Sequence, residues 1–172
     1  MKRVLAVVIF VCTLASSQLA MADGGPFGLG VILFEPTGLT GKYFISNANA
    51  IDFHVGVEGF GNHRHEDLGL YADYLYHIDI GVHTSYFDLP LYLGPGAALI
   101  FIDNDGTYCT KFGCYDRDDD GAMALAARMP LGLAFLFSRF AGEAFVELSL
   151  QLFIIPDVWA DLDGAIGFRY YF

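Results

Sequence analysis

The most informative stretch of the sequence is its last segment, Asp161-Leu162-Asp163-Gly164-Ala165-Ile166-Gly167-Phe168-Arg169-Tyr170-Tyr171-Phe172. Except at Gly164, every second position from Leu162 to Phe172 carries a large apolar side chain. The positions between them include two acids and an arginine, Asp161, Asp163 and Arg169. Successive side chains of a β-strand point to opposite faces, so this period of two predicts a strand with one apolar and one polar face.

The same alternation recurs upstream over residues 51–59, 67–78 and 143–153, and more weakly over 27–34, 39–46, 89–102 and 122–137. With the last segment this makes eight strands, an even number as expected for a single-chain bacterial barrel. Pro90 and Pro95 remove donors from the fifth strand, so Gly94-Pro95-Gly96 predicts a bulge or bend there.

The first 22 residues have the features of an export signal. Lys2 and Arg3 precede a short apolar run, and Ala20-Met21-Ala22 forms an A-x-A cleavage pattern. The run, about 12 residues long, is too short to span a bilayer. We therefore predict a signal peptide at 1–22 and a mature domain at 23–172.

The composition narrows the class of the mature domain. The whole chain is 55% hydrophobic with net charge −11, and loss of Lys2 and Arg3 takes that charge to −13. Such acidity argues against nucleic acid as a partner. The longest uncharged stretch after residue 22, 89–102, holds two prolines and two glycines, which rejects helical membrane spans.

A closed barrel is the remaining way to cross a bilayer with every backbone group paired. We predict an all-β fold, an eight-stranded antiparallel transmembrane β-barrel in the bacterial outer membrane, in contact with its lipid. A soluble periplasmic β-sandwich binding protein stays open, because a sandwich alternates in the same way with its apolar face inward. With the N-terminus in the periplasm, outer loops are expected near 35–38, 59–66, 103–121 and 154–160, of which 103–121 is the longest, and periplasmic connections near 46–50, 79–88 and 138–142.

An eight-stranded barrel is just wide enough inside for side chains to fill it. The alternation predicts a polar lumen network, in which charged groups must be paired because an unpaired buried charge is costly. Its predicted members are Lys42, Asp52, His54, Glu58, Asp73, His77, Arg128, Glu147, Asp163 and Arg169. A structural plug is the main interpretation, and a proton or ion path is the alternative.

The loop at 103–121, called the acidic loop below, holds six aspartates and the only two cysteines after residue 22, Cys109 and Cys114. Exported proteins meet an oxidising compartment, so we predict a disulfide between them. By the chain-entropy argument it would contribute about 2 kcal/mol.

Asp116, Asp118 and Asp120 precede Gly121 in a D-x-D-x-D-G pattern that resembles the start of a calcium loop. The twelfth position is Ala127 where an EF-hand needs a glutamate, so an EF-hand is excluded. A weak Ca²⁺ site and a solvated acidic loop both stay open, and no other cofactor is predicted. His63 and His65 offer two metal ligands without a third, and are predicted to be solvated.

One local pattern raises the question of catalysis. His83 and Ser85 are two residues apart and Asp88 follows, a spacing similar to that of barrel-type outer-membrane lipid A esterases. The pattern falls in a predicted periplasmic connection rather than near the outer leaflet. The chain is therefore predicted not to be an enzyme, and a lipid A or phospholipid hydrolase is kept as an alternative.

Several stretches resemble a family of small outer-membrane β-barrel proteins of the OmpA-like type. The stretches that carry the resemblance are 35–43, 73–77, 90–94, 128–132 and 167–172. The resemblance implies an eight-stranded barrel without an established activity. The closing aromatic strand also resembles the signal read by the barrel-assembly machinery, which implies a role in insertion for Phe168, Tyr170 and Phe172.

The function predicted from these features is structural or surface-interacting, through the extracellular loops, and not that of an open pore. An extracellular ligand, if there is one, is expected at the acidic loop.

Overall fold

The protein is described by a computed structural model that covers residues 25–58, 67–102, 108–110, 113–115, 122–155 and 158–172. The strands are β1 Phe27–Phe34, β2 Thr37–Phe44, β3 Asn49–Glu58, β4 Asp67–His83, β5 Phe87–Leu93, β6 Gly96–Ile102, β7 Tyr108–Thr110, β8 Gly113–Tyr115, β9 Ala122–Phe137, β10 Gly142–Ile155 and β11 Trp159–Tyr171. Among these residues, no helix has the length and apolarity needed to cross a membrane.

The main sheet closes on itself. Each strand pairs antiparallel with its neighbours, and β11 pairs both with β10 and with β1, where Gly28 faces Tyr171. β5 and β6 together occupy one position between β4 and β9, so the ring has eight positions. The predicted eight-stranded antiparallel barrel is confirmed, and a single closed ring differs from the two packed sheets of a sandwich.

The interruption between β5 and β6 lies at Gly94 and Pro95, where the sequence predicts a bulge or bend. The backbone stays hydrogen-bonded across the gap: the Tyr74 N–H donates to the Pro95 carbonyl at 2.9 Å, and the Gly94 N–H donates to the Pro130 carbonyl at 3.3 Å. A side chain at Gly94 would collide with the Tyr74 carbonyl, so this close approach requires glycine.

The two faces of the wall have opposite character. On β10, Val146, Leu148, Leu150 and Leu152 are exposed, while Glu143, Glu147, Ser149 and Gln151 on the opposite face are buried. The same division holds along β3, β4 and β11, where the outward positions are apolar. The core is therefore the side-chain-filled lumen, which holds the buried charges together with apolar clusters, and the outer wall is apolar.

Glycines make room for the largest lumen side chains. The Tyr92 ring lies directly over Gly132, and the Phe145 ring lies over Gly167. Both rings belong to a buried cluster with Ile32, Leu75, Ala134 and Ala165. A small residue facing a large one lets eight strands enclose a packed interior.

The connection predicted over 79–88 is wrong in extent. β4 continues to His83 and β5 begins at Phe87, so a short turn replaces the long connection. The apolar alternation of Ile78, Ile80 and Val82 prolongs the strand. At the turn, the Phe87 N–H donates to Thr84 Oγ1 at 3.0 Å, a local bond that closes the hairpin.

This hairpin, called the β4–β5 extension (residues 78–88), reaches beyond the neighbouring strand β3, whose last pairing with β4 is Asn49 with Tyr76. Its register shifts between Asp79 and His83. Gly81 lies in this irregularity with φ 76°, in the left-handed region that favours glycine.

Candidate lumen ion-pair site

Glu143, on β10, is the centre of one half of the lumen network. Its Oε1 accepts from Lys42 Nζ at 2.7 Å and from Arg169 Nη1 at 2.9 Å, and its Oε2 accepts from the Tyr171 hydroxyl. Glu143, Lys42 and Arg169 are fully buried. These bonds join β2, β10 and β11 across the interior.

Arg169 extends the same cluster toward β3 and β2. Its Nη2 donates to Asp52 Oδ2 at 2.6 Å, and its Nε donates to Thr40 Oγ1 at 2.9 Å. The guanidinium also lies 3.9 Å from the centroid of the Phe145 ring, a distance at which cation–π attraction operates. One arginine thus satisfies partners on three other strands.

A second cluster surrounds Arg128 on β9. Its Nη2 donates to Glu147 Oε1, and its Nε lies 3.1 Å from Asp73 Oδ2. The Tyr92 hydroxyl donates to the other Glu147 oxygen at 2.8 Å. The bond from Arg128 to Glu147 is a charge-assisted hydrogen bond, a strong type, whereas Asp73 contacts Arg128 as an ion pair.

Two histidines lie between the clusters and have different surroundings. His77 Nε2 is 3.4 Å from Lys42 Nζ, and its ring packs against Phe44 and Tyr92. His54 Nε2 is 3.7 Å from Asp73 Oδ2 and 4.0 Å from Asp52 Oδ2. Neither ring nitrogen of His54 has a hydrogen-bond partner. Asp52, His54 and Glu147 are the described residues whose arrangement could hold a metal ion.

Nine of the ten residues predicted for the lumen are buried in the structure: Lys42, Asp52, His54, Asp73, His77, Arg128, Glu147, Asp163 and Arg169. The side chain of the tenth, Glu58, lies outside the described residues. Asp163 accepts from Gln151 Nε2. Glu143 was not in the predicted set, although the alternation of residues 143–153 already places it on the inward face.

Carboxylates outnumber cations among the buried side chains that the structure describes. Six carboxylates are buried there, Asp52, Asp67, Asp73, Glu143, Glu147 and Asp163. The buried cations of the same residues are Lys42, Arg128 and Arg169.

The aromatic residues implied for assembly lie on the outer wall. Phe168, Tyr170 and Phe172 are exposed, while Arg169 and Tyr171 between them point inward. The last strand therefore offers an aromatic stripe outside and charged and phenolic groups inside.

The other candidate residues are placed as follows. Cys109 and Cys114 face each other as partners in the β7–β8 pair, and the disulfide stays a prediction. Directly opposed residues of antiparallel strands have Cα atoms about 4.5–5.5 Å apart, within the range that a disulfide spans. Asp116, Asp118 and Asp120, with His63 and His65, lie outside the described residues.

The pattern considered for catalysis lies in the β4–β5 extension. His83 Nδ1 is 2.9 Å from Asp88 Oδ1, and its Nε2 is 3.1 Å from Asp79 Oδ2, all three residues being exposed. Both ring nitrogens thus have carboxylate partners, which raise the pKa of His83, and the hydrogen bond with Asp88 has the larger effect. The hydrogen bond from the Gly81 N–H, and to a smaller extent the contact with His83, lowers the pKa of Asp79. Ser85 lies in the turn.

The fold is similar to that of a solved barrel. The crystal structure of the N-terminal beta-barrel domain of Pseudomonas aeruginosa OprF matches with a TM-score of 0.61 at 15% identity, over 87% of this chain and 100% of that one. This likeness supports an OmpA-like barrel fold and is evidence of fold alone. No family model matches the sequence, and no curated protein does.

Proposed function

We propose that this chain is an outer-membrane β-barrel protein with a structural or surface-interaction role, whose lumen is closed to ions by its own side chains. The single observation that carries the proposal is the inversion of polarity: the wall is apolar outside and the interior holds the charges. A soluble monomer rarely exposes so continuous an apolar surface, whereas lipid requires one.

The lumen contacts support a plug rather than a path. Arg169 contacts β2, β3 and β10, and Arg128 joins β4 to β10, so the two guanidiniums cross the interior at two places. The exposed fraction of each arginine is 3% or less. An ion entering the lumen would have to break these pairs, which cost several kcal/mol each to separate.

The export signal at 1–22 and the aromatic stripe of β11 support the location and the route of insertion. Phe168, Tyr170 and Phe172 are proposed to be read by the barrel-assembly machinery before the barrel closes. The surface role is proposed for the acidic loop, whose six aspartates outnumber Lys111 and Arg117 and favour a cationic ligand. A disulfide between Cys109 and Cys114 would hold the tip of that loop in one shape.

Location is tested by fractionating the envelope and comparing boiled with unboiled samples on a detergent gel. We expect the protein in the outer membrane with a shift in migration on boiling, because a closed barrel resists detergent until it is heated. Recovery from the periplasmic wash without a shift would contradict the proposal.

Closure is tested by adding the refolded protein to planar lipid bilayers. We expect insertion without a steady conductance. A steady conductance at every insertion event would refute the plug, and the apolar wall would then surround a pore.

A further inference from the structure

Buried polar atoms without a hydrogen-bond partner occur at several lumen residues, and three of them belong to His54 and Asp52, two residues apart on β3. His54 is 1% exposed, yet neither of its ring nitrogens has a hydrogen-bond partner. Asp52 Oδ1 beside it is also buried without a partner. Leaving a buried polar group unsatisfied is costly, so the unpaired atoms of these two neighbouring residues, in one corner of the lumen, are available to bind a ligand.

The geometry of this corner suits a small ion. Asp52 and His54 are alternate residues of β3 and therefore point inward together. Glu147 approaches from β10, and one ligand atom from each of the three residues lies within 4.8 Å of the others. All three side chains are buried, at 0%, 1% and 2% exposure. Asp73 Oδ2, 3.7 Å from His54 Nε2, lies at the edge of the same space.

The neighbouring groups orient the two carboxylates and still leave lone pairs on them that can bind an ion. Arg169 binds Asp52 through Oδ2 and leaves Oδ1 free. Arg128 and the Tyr92 hydroxyl hold the two oxygens of Glu147, each of which keeps a second lone pair. Outer partners of this kind commonly orient the carboxylates that bind a metal.

The chemistry of the donors selects the ion. Ca²⁺ and Mg²⁺ prefer oxygen alone, whereas an imidazole nitrogen with two carboxylates suits Zn²⁺ and related first-row divalent ions. We propose that the barrel binds one divalent transition-metal ion, of which Zn²⁺ is the test case, through Asp52, His54 and Glu147. This goes beyond the structural role and does not depend on what the loops contact.

Because the site is buried, the metal has to be loaded during folding. The full chain is unfolded in urea with a chelator and refolded into detergent micelles with Zn²⁺, with Mg²⁺ or with neither. After removal of free metal, zinc per chain is measured by elemental analysis, and folding is checked by heat-modifiable migration. We expect about one zinc per folded chain and a higher urea midpoint with Zn²⁺ than with Mg²⁺.

Two ligand variants and one matched control locate the ion. His54→Gln and Glu147→Gln remove a ligand while keeping the side-chain volume similar, and each is expected to lower bound zinc at least tenfold. His77→Gln is the control, because His77 is the second buried histidine among the described residues and lies beside Lys42 rather than the carboxylate corner. It should bind as much zinc as the wild type.

Zinc retained equally by His54→Gln would place the metal elsewhere and overturn the proposal. A folded wild type that keeps no zinc would overturn it too. If His54→Gln fails to fold, the wild type is loaded with Co²⁺ instead and its visible absorption spectrum is recorded. The spectrum tests the site because it depends on the nitrogen and oxygen ligands of the ion. A Co²⁺ spectrum identical to that of the ion in detergent buffer would also refute the site.

Discussion

Replacing Arg169 by methionine tests whether the lumen ion pairs hold the barrel together. The change removes the contacts to Asp52, Glu143 and Thr40 while keeping much of the side-chain volume. Glu143 keeps Lys42 and the Tyr171 hydroxyl as partners. Asp52 loses the hydrogen bond that Arg169 donates to it and becomes a buried carboxylate without its cationic partner.

The size of the effect follows from burial. Breaking a buried pair by removing one partner typically costs about 3–5 kcal/mol, and Arg169, Asp52 and Glu143 all have 0% exposure. We therefore expect Arg169→Met to lower the free energy of unfolding by about 3–5 kcal/mol. Adding Asp52→Asn removes the stranded charge and should restore a large part of that loss.

The measurement is urea unfolding in micelles, followed by the fluorescence of Trp159, which stacks on Phe153 at 3.6 Å between ring centroids. Arg139→Met is the matched control, because Arg139 is exposed and lies 4.8 Å from the Tyr86 ring centroid. An exposed cation–π contact contributes about 0.5–1 kcal/mol. If the two methionine variants were destabilised equally, the lumen pairs would not be a source of stability and the reasoning would be refuted.

Three further predictions concern other parts of the molecule. Asp88→Asn should lower the pKa of His83, measured by NMR titration, and an unchanged titration would contradict the contact. Because the pKa of His83 is raised, its bridge to Asp88 stabilises the hairpin fully below pH 6.5, and this stabilisation is lost as pH rises through the raised value. Gly132→Ala would overlap the Tyr92 ring and should cost about 1–3 kcal/mol in urea unfolding, whereas no cost would mean that the ring is free to move. Both cysteines of the acidic loop should resist alkylation in the exported protein until a reductant is added, and labelling without reductant would exclude the disulfide.

The wall of the barrel could be predicted because its signal is local. A period of two is visible in each of β3, β4, β10 and β11, and it gives the inward and outward faces directly. The end of β4 was misplaced because the predicted strand stopped at residue 78 and residues 79–88 were assigned to a periplasmic connection. The alternation through Ile80 and Val82 and the Thr84 turn lengthen the hairpin instead.

The lumen network could be predicted only in part. The period gives the face of each residue but not its height along the barrel axis, which depends on the stagger of the strands. Lys42 and Glu143 are 101 positions apart in the sequence, so nothing local indicates that they meet. For the same reason the sequence could not predict that His77 lies beside a lysine whereas His54 lies among carboxylates.

The seam between β1 and β11 has a consequence for how the chain folds. Arg169 finds Asp52 and Thr40 at separations of 117 and 129 residues, and it can do so only when the last strand docks on the first. Contacts between residues so far apart in sequence form late, because the chain entropy of closing the loop is lost before the contacts stabilise the fold. Until then Asp52 lacks its guanidinium, whereas Glu143 already faces Arg169 within the β10–β11 hairpin. Closing the ring and pairing Asp52 are therefore one cooperative step, and a barrel with its seam still open holds a carboxylate without its arginine.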